Sequence, residues 1–137
     1  IAKGKQFLID CQDEKGGFGY TGNSGANLPR TAIGSLILSL DKDTDSKPFK
    51  SSLEYLRENA RFGDQGHKFY SLYYTAQAMW RSTPEDWNKW NLENVRQLQA
   101  KQAENGSWNG NYGNTFPTSA ALLSMALNYR YLPIYER

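Results

Sequence analysis

The sequence predicts an all-α fold built of tandem helical hairpins, because its features recur at a fixed spacing. The turn 12–18, Gln-Asp-Glu-Lys-Gly-Gly-Phe, returns at 102–108 as Gln-Ala-Glu-Asn-Gly-Ser-Trp, with the Gln-to-Gly-to-aromatic spacing unchanged. Leu8, Leu53 and Leu98 follow one another at intervals of 45 residues. A unit of about 45 residues is the size of a two-helix repeat. A second series, at intervals of 44 and 43 residues, consists of Thr31, Thr75 and Thr118.

The 137 residues therefore divide into three predicted repeats and a tail, which form one domain or a fragment of one. The boundaries are expected at about 1–45, 46–83 and 84–130, with the tail at 131–137.

In the first repeat, an outer helix is expected to run to the glycine pair at 16–17, where the chain leaves helical geometry. An inner helix then starts at Pro29, a residue favoured in the first turn. The predicted apolar stripes follow helical spacing. They are Gly4, Phe7, Leu8 and Cys11 on the outer helix and Ile33, Leu36, Ile37 and Leu40 on the inner helix.

The second repeat has an outer helix and an inner helix, the latter from about His67 to Arg81. The inner helix is apolar or aromatic on two faces, which predicts that it is packed on both sides. The outer stripe is Phe49, Leu53, Leu56 and Ala60. The two inner stripes are Leu72, Ala76, Met79 and Trp80 on one side and Tyr70, Tyr73, Tyr74 and Gln77 on the other.

The third repeat opens with a clear helix start, in which Thr83 is the cap and Pro84 takes the first helical position. After the inner helix, Pro133 prevents the tail from continuing as helix, so the tail packs across the bundle or into a neighbouring chain. The predicted stripes are Trp87, Trp90, Val95 and Leu98, then Leu122, Met125, Ala126 and Tyr129.

Composition excludes several classes of protein. A net charge of +2 without a basic run argues against a nucleic-acid partner. The sequence contains no run of about 18 apolar residues, so no transmembrane segment is predicted. It also contains no recognisable targeting segment, so the compartment is not predicted. A single cysteine excludes an internal disulfide. The chain begins with Ile1 and not with Met, so we interpret it as a processed product or a piece of a longer protein.

The first repeat reads Lys-Gly-x-x-Phe-Leu-x-x-x-Gln-x-x-x-Gly-x-Phe over residues 3–18 and resembles the QW motif of the prenyltransferase and squalene-oxidase repeat family. Phe18 stands where that motif usually has Trp. The third repeat keeps the motif from Leu98 to Trp108, whereas Arg57 replaces the glutamine in the second. The run 66–80 and the tail are similar to the C-terminal part of bacterial repeat-only members, which have no established reaction.

This resemblance implies the α/α toroid of squalene–hopene cyclases, oxidosqualene cyclases, class II diterpene cyclases and protein prenyltransferase β-subunits. Three hairpins are about half of the six-hairpin ring. A half ring leaves the sides of its end repeats exposed. We therefore expect either a longer chain or a homodimer that completes the ring.

The glutamine and the aromatic residue of each motif are interpreted as structural. The glutamine amide is able to bond backbone groups at the end of a neighbouring helix, and the aromatic ring covers it. Gln12, Phe18, Gln102 and Trp108 are therefore assigned to stability and not to catalysis.

Cyclisation by protonation requires Asp-x-Asp-Asp immediately before the Thr-Ala of an inner helix, as the resemblance implies. No acid precedes Thr31, Thr75 or Thr118 at that position, and Asp41, Asp43 and Asp45 have the wrong spacing and lie in a linker. Enzymatic activity is therefore left open; if it exists, it is of the cyclase or transferase type.

Asp64 and His67 are the candidate catalytic residues, because a carboxylate and an imidazole before an inner helix are able to form an acid–base pair. The alternative is that Asp64 shapes a turn and His67 caps the helix or packs against Phe62. Cys11 and His67 are alone of their types, so no metal and no cofactor is predicted.

The candidate ligand-binding residues are Tyr70, Tyr73, Tyr74, Gln77 and Tyr112. The tyrosine stripe is interpreted as core filler, as the lining of a pocket for an apolar ligand, or as a platform for sugars. Tyr112 lies in the polar loop 109–115, which has the composition of a binding loop or of any surface turn. Three hypotheses follow: a squalene-cyclase-like domain that binds an isoprenoid, a carbohydrate-active toroid acting as lyase or hydrolase, and a non-catalytic protein-interaction scaffold.

Overall fold

A computed structural model describes residues 2–60, 67–111 and 113–129 of the chain. Over these ranges the fold is all-α, as predicted, with no strand longer than an isolated bridge. The described helices include none that is long and apolar enough to cross a membrane. They are α1 (Ala2–Asp10), α2 (Leu28–Leu40), α3 (Lys47–Asn59), α4 (Lys68–Trp80), α5 (Pro84–Lys101) and α6 (Thr115–Ala126), followed by a 3₁₀ helix (Leu127–Tyr129).

The chain forms two compact units, residues 1–61 with α1 to α3 and residues 62–137 with α4 to α6. The division falls between α3 and α4, inside the second predicted repeat. The three-repeat division of the chain stays a prediction.

In the first unit, α2 packs against α3, and a side-chain cap begins each helix. The Asn27 side chain accepts a hydrogen bond from the Arg30 amide, and Ser46 accepts one from the Phe49 amide. Such caps satisfy amides that the helix itself leaves unpaired. Three members of the predicted outer stripe are buried as expected: Phe49, Leu53 and Leu56.

The first helix differs from its prediction, because α1 ends at Asp10 and not at the glycine pair. The segment after it closes a tight turn, in which the Gly19 amide donates to the Cys11 carbonyl at 2.8 Å. Cys11 is buried, but Phe7 of the same predicted stripe is 59% exposed. Lys5 instead anchors α1, since its Nζ lies 2.8 Å from a carboxylate oxygen of Asp41 and 2.8 Å from one of Asp43.

In the second unit, α4 packs mainly on α6 and also contacts α5. Its bounds match the prediction, and so does the start of α5, where Thr83 Oγ1 accepts from the Asp86 amide at 3.1 Å. A tryptophan cluster fills the junction between α4 and α5. Trp80 and Trp87 meet edge to face with ring centroids 5.1 Å apart, and Trp90 is buried beside Trp87.

The predicted apolar faces of two inner helices are wrong in part. On α2, Ile37 and Leu40 are exposed, although Leu36 of the same stripe is buried. On α6, Leu122 is 52% exposed and Tyr129 beyond it is also exposed. The buried positions are mainly small residues, which allow close packing: Thr31, Ala32, Ser35 and Leu38 on α2, and Pro117, Ala120, Ala121 and Ser124 on α6.

Candidate functional site

The two copies of the sequence motif fold into turns with the same hydrogen bonds. The Asp13 amide donates to the Gly17 carbonyl at 2.8 Å, and the Ala103 amide donates to the Ser107 carbonyl at 2.8 Å. In each turn the glutamine Nε2 donates across to a glycine carbonyl, Gly16 O at 3.0 Å in one and Gly106 O at 2.8 Å in the other. Both glycines have a positive φ, 86° and 82°, which other residues rarely adopt. The sequence repeat is therefore also a repeat of backbone geometry.

A threonine on the following inner helix holds the aromatic residue of each turn. The Phe18 amide donates to Thr31 Oγ1 at 3.0 Å, and the Trp108 amide donates to Thr118 Oγ1 at 3.1 Å. The threonine series was visible in the sequence, but this role was not predicted from it. Thr75 is the third member, and its buried hydroxyl has no partner within the described part of the chain.

The two aromatic rings are both buried but are used differently. Phe18 packs on Gly34 of α2, where an added Cβ would lie 2.7 Å from the ring. The indole Nε1 of Trp108 donates to the Leu98 carbonyl at 2.9 Å. Leu98 lies in the last turn of α5, where carbonyls have no partner inside the helix, so Trp108 caps the helix that precedes its turn.

Gln12 also joins its turn to the next outer helix. Its Nε2 donates to the Pro48 carbonyl in the first turn of α3 at 2.8 Å. The predicted partner is an unpaired backbone group at a helix end, but the unpaired groups at this end of α3 are amides, and the observed partner is a carbonyl. Gln12 and Gln102 thus both donate to backbone carbonyls, and their assignment to stability stays a prediction.

Three tyrosines on α4 form a cluster on the face opposite the buried stripe. Tyr74 lies edge to face with Tyr70 and Tyr73, with ring centroids 4.9 and 5.1 Å away. Burial, and to a lesser degree the Tyr70 hydroxyl, raises the pKa of Tyr74. Tyr70 is 40% exposed, whereas Gln77, one turn beyond Tyr73, is buried. The three tyrosines are therefore exposed or half-buried, and the buried residue next to them on this face is Gln77.

Only His67 of the candidate catalytic pair lies within the described residues. His67 is exposed at the N-cap position of α4, and its side chain makes no capping hydrogen bond. Asp64, its predicted partner, lies outside the described residues, and so does Tyr112 of the loop 109–115. The acid–base pair stays a prediction.

Two carboxylates of the acidic linker make structural contacts. Asp41 and Asp43 are both paired with Lys5, so this part of the acidic linker holds α1 and is not a free carboxylate pair. The described residues include no group of three or more His, Cys, Asp or Glu side chains placed to hold a metal ion.

Comparison with known protein families, with curated proteins and with solved structures found no match for this chain.

Proposed function

We propose that this chain is a squalene-cyclase-like repeat domain, part of a larger α/α toroid, whose tyrosine cluster binds an isoprenoid-like apolar ligand. The repeat assignment is supported by the two turns, which share their backbone hydrogen bonds, their glutamine contact and their threonine contact. Two unrelated turns of similar composition would not be expected to share all three kinds of contact.

The ligand class rests on the tyrosine cluster on α4. Tyr70, Tyr73 and Tyr74 place three rings within about one and a half helical turns, and the Tyr70 side chain is exposed to solvent. Aromatic rings offer large apolar area at a low cost in side-chain entropy, so a surface of this kind binds apolar chains. Because the chain lacks the Asp-x-Asp-Asp motif, any protonation would be carried out by residues outside it.

A titration of the chain with farnesol, followed by calorimetry, tests the proposal. We expect saturable binding that Tyr70→Ala weakens on the order of tenfold, because the variant removes apolar area worth about 1–2 kcal/mol. Tyr20→Ala is the matched control, since Tyr20 is 80% exposed and belongs to the other unit.

The same titration with a neutral oligosaccharide such as maltohexaose separates the alternatives. Saturable binding of the sugar alone would favour the carbohydrate-active toroid. Binding of neither compound would contradict the proposal and favour the protein-interaction scaffold.

A further inference from the structure

The turn 12–18 is the place where the next outer helix docks in the first unit. Gln12 Nε2 donates to Pro48 O at 2.8 Å. A Cβ added at Gly16 would lie 2.2 Å from Ser51 O, and one added at Gly17 would lie 2.6 Å from the Tyr55 ring. The first three turns of α3 therefore rest directly on this turn.

The turn 102–108 has the same backbone hydrogen bonds, but among the described residues no helix packs on its corresponding side. A Cβ added at Gly106 would meet only Gln102 Nε2, at 3.9 Å. Gln102 is exposed, and over the described ranges its amide donates only to Gly106 O. A primary amide has two N–H groups, so one donor remains that corresponds to the donor Gln12 gives to α3.

The register of the repeat identifies the segment that fits this surface. Leu53 of α3 and Leu8 of α1 are one interval of 45 residues apart. The same interval relates Pro48 to Lys3 and Ser51 to Gln6. Lys3 and Gln6 are exposed on α1, and α1 has no fully buried residue along its length.

We propose that the turn 102–108 binds α1 of a second copy of this chain, with Gln102 Nε2 donating to the Lys3 carbonyl and Gly106 facing Gln6. This contact repeats between two copies the one that the first unit makes within itself. It joins different surfaces of the two copies, so the contact is heterologous.

Two inner helices carry exposed apolar side chains that a contact between copies is able to cover. Leu122 and Leu123 of α6 are exposed, and so are Ile37 and Leu40 of α2, the helix that follows α1. Within the second unit, α4 and α6 already pack inner helix on inner helix. A contact that also covered these two apolar faces would remove them from water.

Sedimentation equilibrium of the chain over a range of concentrations tests the proposal. We expect concentration-dependent self-association that Gln102→Ala weakens on the order of fivefold, the value of one hydrogen bond. Leu122→Lys, which places a charge on the exposed apolar face of α6, is expected to weaken it as well. Gln99→Ala is the matched control, because Gln99 is exposed one turn earlier on α5 and lies outside the contact.

A chain that stays monomeric at about 0.5 mM, or an association that Gln102→Ala leaves unchanged, would overturn the proposal. Circular dichroism of each variant shows that a loss of association is not a loss of folding.

Cross-linking between copies tests the register itself. Gln6→Cys in one preparation and Asn105→Cys in another place thiols on the two predicted surfaces, while the native Cys11 is buried and unreactive. We expect oxidation to give a covalent dimer when the two preparations are mixed and little when either is alone. Equal yields from the separate preparations, or none from the mixture, would contradict the register.

Discussion

At the residue scale, small side chains at fixed positions allow the turns to pack on their inner helices. Thr31 and Thr118 accept the amides of Phe18 and Trp108, and Gly34 leaves room for the Phe18 ring. The spacing of the threonines could be read from the sequence, but their partners could not. A hydroxyl in a first helical turn usually bonds nearby backbone, and only the folded turn brings the aromatic amide to it.

Substitution of Gly34 by alanine tests this packing. Glycine to alanine in a helix interior normally stabilises by about 0.5–1 kcal/mol. At Gly34, however, the added Cβ would lie 2.7 Å from the Phe18 ring. We therefore expect Gly34→Ala to lower the free energy of unfolding by about 1–3 kcal/mol, measured by urea denaturation followed by circular dichroism.

Gly4→Ala is the control for this experiment, because an added Cβ at Gly4 of α1 meets nothing within 4 Å. It is expected to leave stability unchanged or to raise it slightly. Equal effects of the two substitutions would contradict the proposed contact between Gly34 and Phe18.

At the element scale, the sequence predicted which segments are helices better than it predicted which faces are buried. The start of α5 has a strong signal in Thr83 and Pro84 and was found as expected, and so were the approximate bounds of α4. The segment of α6 contains no charged residue, so an apolar stripe can be drawn on more than one side of it. Packing against α4 determines which face of α6 is buried. Because the two helices lie close together, the small residues Ala120, Ala121 and Ser124 are buried there and the larger Leu122 is not.

The end of α5 provides a prediction at this scale. Trp108→Phe removes the hydrogen bond from Nε1 to the Leu98 carbonyl and reproduces the aromatic residue of the first turn. We expect the free energy of unfolding of the second unit to fall by about 1–2 kcal/mol. The fluorescence of Trp80, Trp87 and Trp90, all in that unit, reports this unfolding.

Leu92→Ala is the comparison for that prediction, since Leu92 is exposed on the same helix. It should change the stability by less than about 0.5 kcal/mol. A loss at Leu92 as large as that at Trp108 would show that the indole does not cap α5.

At the scale of the whole molecule, each of the two compact units carries one copy of the same turn. In the first unit the turn receives an outer helix of its own unit, and in the second its corresponding side is open over the described ranges. The spacing in the sequence predicts the array, whereas the difference between the two turns lies in contacts that only the folded chain makes.

Amide hydrogen exchange, measured by NMR at each residue of both turns, tests most directly whether the turns are two copies of one structure. We expect the Phe18 and Trp108 amides to exchange far more slowly than those of Glu14 and Glu104. Thr31→Val should speed exchange only at the Phe18 amide, and Thr118→Val only at the Trp108 amide. Each rate should rise by at least about tenfold, because valine keeps the shape of threonine but lacks the acceptor oxygen. Exchange at Phe18 and Trp108 as fast as at Glu14 and Glu104 in the unmodified chain would contradict the account.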